Sequence, residues 1–113
     1  MHEMAICESI LGILKEQART LDFGSVKRVR LEIGPLSGVE IEALKFGFDV
    51  VTRGSIAENA ALEIIETQAT AWCMPCGEAV AIRERYDPCP KCGSHQLQVT
   101  AGEELRIKEL EVN

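Results

Sequence analysis

The stretch that decides the architecture runs from Thr70 to Gly93, TAWCMPCGEAVAIRERYDPCPKCG, with Cys73, Cys76, Cys89 and Cys92 in two Cys-x-x-Cys pairs. Each pair forms a tight knuckle that turns both sulfurs toward one point. The glycine after each second cysteine, Gly77 and Gly93, adopts φ > 0 at little cost and lets backbone N–H groups approach the thiolates. Two such knuckles complete a tetrahedron of soft ligands, and four thiolates at this spacing suit zinc. Twelve residues separate Cys76 from Cys89, enough for a short hairpin carrying Val80 and Ile82.

A module of about thirty residues cannot bury an adequate core, so the metal has to contribute folding free energy, on the order of 10 kcal/mol. With four protein ligands the ion has no open position, which makes it structural. Two other readings use the same residues. The Cys-Pro-x-Cys-Gly form also resembles the iron-binding knuckles of rubredoxins, and either pair alone is a conceivable redox dithiol. Colourless protein containing zinc discriminates against iron. His95, three residues after Cys92, reads as a surface histidine beside four thiolates that are already sufficient.

Working outward, the chain has 113 residues, room for one modest domain with a smaller module attached. Hydrophobic residues make up 46% and charged residues 27%, the balance of a folded chain; with five aromatics, aliphatic residues must fill the core. Twelve basic residues stand against eighteen acidic ones, a net charge of −6, the wrong sign for holding phosphate backbones, so nucleic acid is not an expected partner. No apolar run approaches the ~20 residues needed to cross a bilayer. The first twenty residues carry Glu3, Glu8, Lys15 and Glu16 where a leader would be basic and then apolar. A cytoplasmic protein with no membrane partner is expected, and reduced cysteines there bind metal in preference to forming disulfides.

Upstream of the cysteines, Cys7, Leu11, Leu14, Ala18 and Leu21 recur at helical spacing, predicting an amphipathic helix from Met4 to Leu21. Cys7 lies within that stripe and reads as a small buried hydrophobe. Val29, Leu31 and Ile33 alternate with Arg28, Arg30 and Glu32 as a half-buried strand that ends at Gly34-Pro35. Ser37 and Glu40 have the spacing of a capping box ahead of Ile41, Leu44, Phe48 and Val51, predicting a helix over about 39–52. Ala61 to Thr67 reads as a second strand. After Ala101-Gly102, Leu105 and Ile107 alternate with charges but Leu110 and Val112 fall on the opposite phase, predicting a strand with a bulge near Lys108-Glu109.

The expected fold is therefore α+β: two helices on a small three-stranded sheet, with an inserted four-cysteine, zinc-ribbon-like module. The larger domain takes residues 1–69 and 101–113, the module residues 70–100. No nucleophile and base share a local signature of catalysis, so the protein is not expected to be an enzyme.

The amino terminus reads Met1-His2-Glu3, and histidine at position 2 is too bulky for easy removal of Met1. The terminal amine, the backbone nitrogens of His2 and Glu3, and the His2 imidazole can converge on one ion as a planar nitrogen set suited to Ni(II) or Cu(II). An ordinary solvated histidine near a frayed terminus is the bland reading of the same residues.

Met1-His2-Glu3, the helix after it, Leu31-Glu32-Ile33-Gly34, the Glu40 to Val51 helix, Arg53-Gly54-Ser55 and the two cysteine pairs together resemble the HypA/HybF family of hydrogenase maturation nickel metallochaperones. The resemblance spans essentially the whole chain in the same order. It implies a nickel-binding domain of two helices on a small sheet, with a zinc domain inserted before the last strand. It implies transported nickel held through His2 with backbone nitrogens at the terminus, Glu3 among them, and structural zinc held by Cys73, Cys76, Cys89 and Cys92. It implies as partners a nickel-handling GTPase of hydrogenase maturation and the hydrogenase large subunit. The family carries an acidic residue, often aspartate, at the position of Glu40, where it contributes to nickel; its place in a capping box is the structural alternative. A zinc-ribbon adaptor without transported metal is the competing function, and it would tolerate replacement of His2.

Overall fold

The computed structural model describes residues 2–113, which gather into two compact units. The first comprises the chain up to Leu31 with Val39–Ile64 and Ile107–Asn113; the second comprises Glu32–Gly38 and Ile65–Arg106. Among the described residues no helix is long and apolar enough to cross a membrane.

Helix α1 spans Glu3–Leu21 and buries Cys7, Ile10, Leu11 and Leu14, the stripe that the helical spacing marks. It closes on Asp22, whose left-handed backbone lets its N–H donate to Ala18 O; aspartate tolerates this conformation better than branched residues. Strand β1, Val26–Ile33, starts two residues before the visible alternation, and Val26 is itself buried. Helix α2 spans Ile41–Val51 and buries Leu44, Gly47 and Phe48.

One local expectation is corrected at the start of α2. Glu40 is not the third residue of a capped helix but the N-cap itself, extended at φ −88° and ψ 111°, with its side chain accepting from Ala43 N–H at 2.9 Å. The left-handed Gly38 (φ +77°) turns the chain before the helix, so helical geometry begins at Ile41. A carboxylate at that point satisfies one of the orphan donors of the first turn.

Strand β2 spans Ala61–Glu66 and the last strand, β6, spans Leu105–Val112; with β1 between them they make a three-stranded sheet of order β2-β1-β6. Side chains on the open face confirm that order. Arg30 Nε donates to Glu63 at 2.6 Å and its guanidinium also pairs with Glu109, while Arg28 reaches Glu63 at 3.1 Å and Glu111 at 3.8 Å. Each exposed pair is screened by water and contributes little, but arginines on the central strand flanked by carboxylates from both edges favour this pairing over others. Along β6 the half-buried positions pass from Leu105 and Ile107 to Leu110, a change of phase across Lys108-Glu109.

Three further strands form a second sheet: β3 (Ala69–Cys73), β4 (Glu78–Ile82) and β5 (Leu97–Ala101), in the order β4-β3-β5, both pairings antiparallel. Ala71 faces Val80 on one side and Val99 on the other. The buried cluster here is Leu36, Ala69, Ala71, Cys73, Val80, Ile82 and Cys89. Two of those seven are cysteines and two are alanines, so apolar burial alone supplies little, at roughly 25 cal/mol per Å².

Gly34 closes β1 where the backbone passes against the 102–104 segment. Its N–H donates to Glu104 O at 2.8 Å, Leu36 N–H donates to Gly102 O at 2.7 Å, and a Cβ on Gly34 would lie 2.0 Å from Gly102 O. Glu104 locks the same turn, accepting from Thr67 Oγ1 at 2.5 Å and from Gly102 N–H at 3.0 Å; these bonds hold its carboxyl below the ordinary carboxylate range.

Candidate metal centre

Strand β3 delivers Cys73 at its end, the first knuckle turns through Cys76 and Gly77 into β4, and the second knuckle, Cys89 to Gly93, lies before β5. Gly77 (φ +65°) and Gly93 (φ +75°) are left-handed, as the knuckles require. Gly77 N–H donates to Cys73 O and Gly93 N–H to Cys89 O, both at 2.8 Å, closing the two turns identically. Lys91 N–H points at Cys89 Sγ from 3.4 Å.

All four sulfurs lie within 4.8 Å of one another, with Cys73 and Cys92 3.7 Å apart and Cys76 and Cys89 4.0 Å apart. Zinc–sulfur bonds of ~2.3 Å in a tetrahedron give sulfur–sulfur edges of about 3.8 Å, so the cluster is compatible with structural zinc as it stands. The thiols are also electrostatically poised for a cation. Backbone N–H groups of Cys92 and Lys91 lower Cys89 to about 7, so one thiolate forms readily. The neighbouring Cys92 and Cys73 sulfurs push Cys76 up to about 12, since a further negative charge there has nothing to balance it until a dication arrives. The ligands differ in access: Cys73 and Cys89 are buried, Cys76 is intermediate and Cys92 is exposed. His95 is exposed and stands outside the four-sulfur group.

At the other candidate site, His2 is the N-cap of α1, extended at φ −90° and ψ 94°, and exposed. The Glu3 carboxylate accepts from Glu40 N–H at 3.2 Å, and that bond lowers its carboxyl. Thus the amino ends of α1 and α2 meet: Glu3 satisfies one orphan donor of α2 and Glu40 another. No local pattern in the sequence reveals this link between residues 37 positions apart. The terminal amine of Met1 lies outside the described residues. Among the described residues, the four cysteines are the one group of three or more potential ligands that meets at metal spacing; His2, Glu3 and Glu40 do not form a second. Cys7 takes no part in either site: it is fully buried, and its thiol donates to Leu44 O at 3.3 Å.

Fold and site define a class: a small α+β metal-binding protein in which a tetrathiolate module precedes the last strand of a helix-bearing sheet. A family model described as hydrogenase/urease nickel incorporation, metallochaperone, HypA matches residues 1–112. The chain belongs to the HypA family, whose members are metallochaperones. The hydrogenase maturation factor HypA of Azotobacter vinelandii is 60% identical over 112 residues, 99% of either chain. That of Acidithiobacillus ferrooxidans is 61% identical over 112 residues, again 99% of either chain. The solution structure of the Ni metallochaperone HypA from Helicobacter pylori matches with a TM-score of 0.71 at 25% identity, covering 99% of this chain and 97% of that one.

Proposed function

We propose that this chain is a cytoplasmic nickel metallochaperone that binds Ni(II) at its amino terminus and delivers it for maturation of [NiFe]-hydrogenase. In this reading residues 1–69 and 101–113 form the nickel-binding domain and residues 70–100 the zinc-binding domain. The observation that carries it is the joined amino ends of the two helices, which leave the His2 imidazole in solvent while Glu3 and Glu40 hold the segment behind it in place.

The His2 imidazole and the backbone nitrogens of His2 and Glu3 supply nickel's ligands together with the terminal amine of Met1. Glu3 has its carboxylate on Glu40 N–H, so its backbone nitrogen is the atom left for metal. Glu40 acts first as a helix cap, and its carboxylate joins the ion only by giving up Ala43. Cys73, Cys76, Cys89 and Cys92 hold structural zinc. That ion, fully ligated, orders the second unit and has no open position for a further ligand. The partners are a nickel-handling GTPase and the hydrogenase large subunit.

Replacement His2→Ala tests the assignment. A nickel chaperone keeps its fold and its zinc but loses tight nickel binding, read by calorimetry beside metal analysis; unchanged nickel binding would refute the terminal site and leave the zinc-ribbon adaptor as the better account.

A further inference from the structure

Gly47 is buried in the middle of α2, where glycine weakens a helix relative to alanine. What it gains is a close approach. A Cβ on Gly47 would stand 3.2 Å from Cys7 Sγ, with the sulfur and Cα of Met4 at 3.7 and 3.8 Å, so the first turns of α1 rest directly on the backbone of α2. The Cys7 sulfur is held there, because the residue is fully buried and its thiol donates to Leu44 O at 3.3 Å. Glu3 lies one turn before Cys7 on the same face of α1, and its carboxylate accepts from Glu40 N–H at 3.2 Å. The two helices thus share one seam: Glu3 on Glu40, Cys7 on Leu44, and Gly47 beneath Cys7 and Met4.

The spacing of that seam decides whether Glu3 reaches its donor. A methyl group at Gly47 requires its neighbours to give by a few tenths of an ångström, and the buried, hydrogen-bonded sulfur cannot swing aside. The same displacement carried to the helix ends takes the Glu3-to-Glu40 bond from 3.2 Å to about 3.5 Å, the edge of useful hydrogen bonding. Glu3 then no longer ties down the turn that contains its own backbone nitrogen and His2. An untethered turn has to be ordered by the ion itself, and that ordering lowers affinity.

We propose that Gly47 and Cys7 are positioning residues for nickel: their close contact sets the spacing of α1 and α2 at which Glu3 reaches Glu40, and so holds the His2-Glu3 turn ready for the ion. The inference rests on the nickel-delivery reading above. Neither residue is a nickel ligand, and both act through Glu3.

The test titrates nickel into the full, zinc-loaded, tag-free chain and its variants, with zinc content and thermal melting recorded for each. Gly47→Ala weakens nickel binding about tenfold yet keeps zinc and melts close to the native chain, since the helix preference of alanine offsets the crowding. Adding Cys7→Ala to Gly47→Ala gives the new methyl the space the sulfur leaves and recovers most of the affinity. Glu3→Ala, which leaves the core untouched, weakens nickel binding to the same extent, whereas Glu3→Gln keeps an acceptor and most of the affinity. In the Glu3→Ala background Gly47→Ala causes no further loss, because the link it acts through is already gone. Native affinity in Gly47→Ala or in Glu3→Ala overturns the positioning role while leaving nickel delivery intact, as do losses that simply add in the double variant. A native chain that takes no nickel defeats the nickel-delivery reading itself, and the positioning role with it.

Discussion

Replacing Gly34 by alanine perturbs the tightest backbone approach in the second unit. The new Cβ would stand 2.0 Å from Gly102 O and 2.3 Å from Gly102 C, both backbone atoms that cannot rotate aside. Ordinary contact at about 3.4 Å demands a separation of roughly 1.4 Å, which stretches the Gly34-to-Glu104 and Leu36-to-Gly102 bonds, now 2.8 and 2.7 Å, beyond useful length. Losing two such bonds with their partners left shielded from water costs about 3 to 4 kcal/mol, and the smaller entropy of an unfolded alanine returns about 0.5 kcal/mol. The net loss of about 3 kcal/mol corresponds to a fall of roughly 10 °C in Tm for a chain of this size. Calorimetry on the zinc-loaded protein reads the shift, and zinc release to a chelator should quicken, because the same turn supports the strands that carry the cysteines. A variant that melts with the parent and holds zinc as long would refute the close approach of the two segments.

The same substitution at Gly12 should have the opposite sign: this glycine sits in an exposed turn of α1 with nothing within 4 Å of its added Cβ, so Gly12→Ala stabilises by about 0.5 to 1 kcal/mol in a urea titration. Glu40→Ala removes the cap of α2 and costs about 1 kcal/mol, whereas Glu40→Asp, a preferred cap, holds stability in the same titration. For Glu104, bonds from Thr67 and Gly102 depress the folded carboxyl, so its stabilisation is present above the ordinary carboxylate range and disappears as pH falls through the depressed folded value. Glu104→Gln should therefore be less stable than the parent at pH 7, with the gap closing under acid; a gap that does not change with pH would contradict the assignment.

Much of the fold is legible because strong signals coincide with large side chains. Leu11, Leu14, Leu44 and Phe48 mark both helices, and Leu31 and Ile33 mark β1. Strands β3 and β5 are harder to read. Ala69 and Ala71 point inward as firmly as any valine, at 1% and 0% exposure, but alanine carries no β preference to announce it. The start of α2 misleads because Ser37 and Glu40 fit a capping pattern that the left-handed Gly38 then displaces by three residues. The four-cysteine cluster is legible from spacing, because the knuckle is a local structure. The link from Glu3 to Glu40 and the packing of Cys7 against Gly47 depend on how the helices cross, and sequence periodicity contains no term for that.

The most direct measurement is a calorimetric nickel titration of the zinc-loaded, tag-free chain beside the same chain with Gly-Ser added before Met1, which takes the terminal amine out of position without touching a side chain. Tight binding of about one nickel by the native terminus and poor binding by the extended one is the predicted result. Equal binding by both, with folds and zinc content matched, would contradict a terminal nickel site.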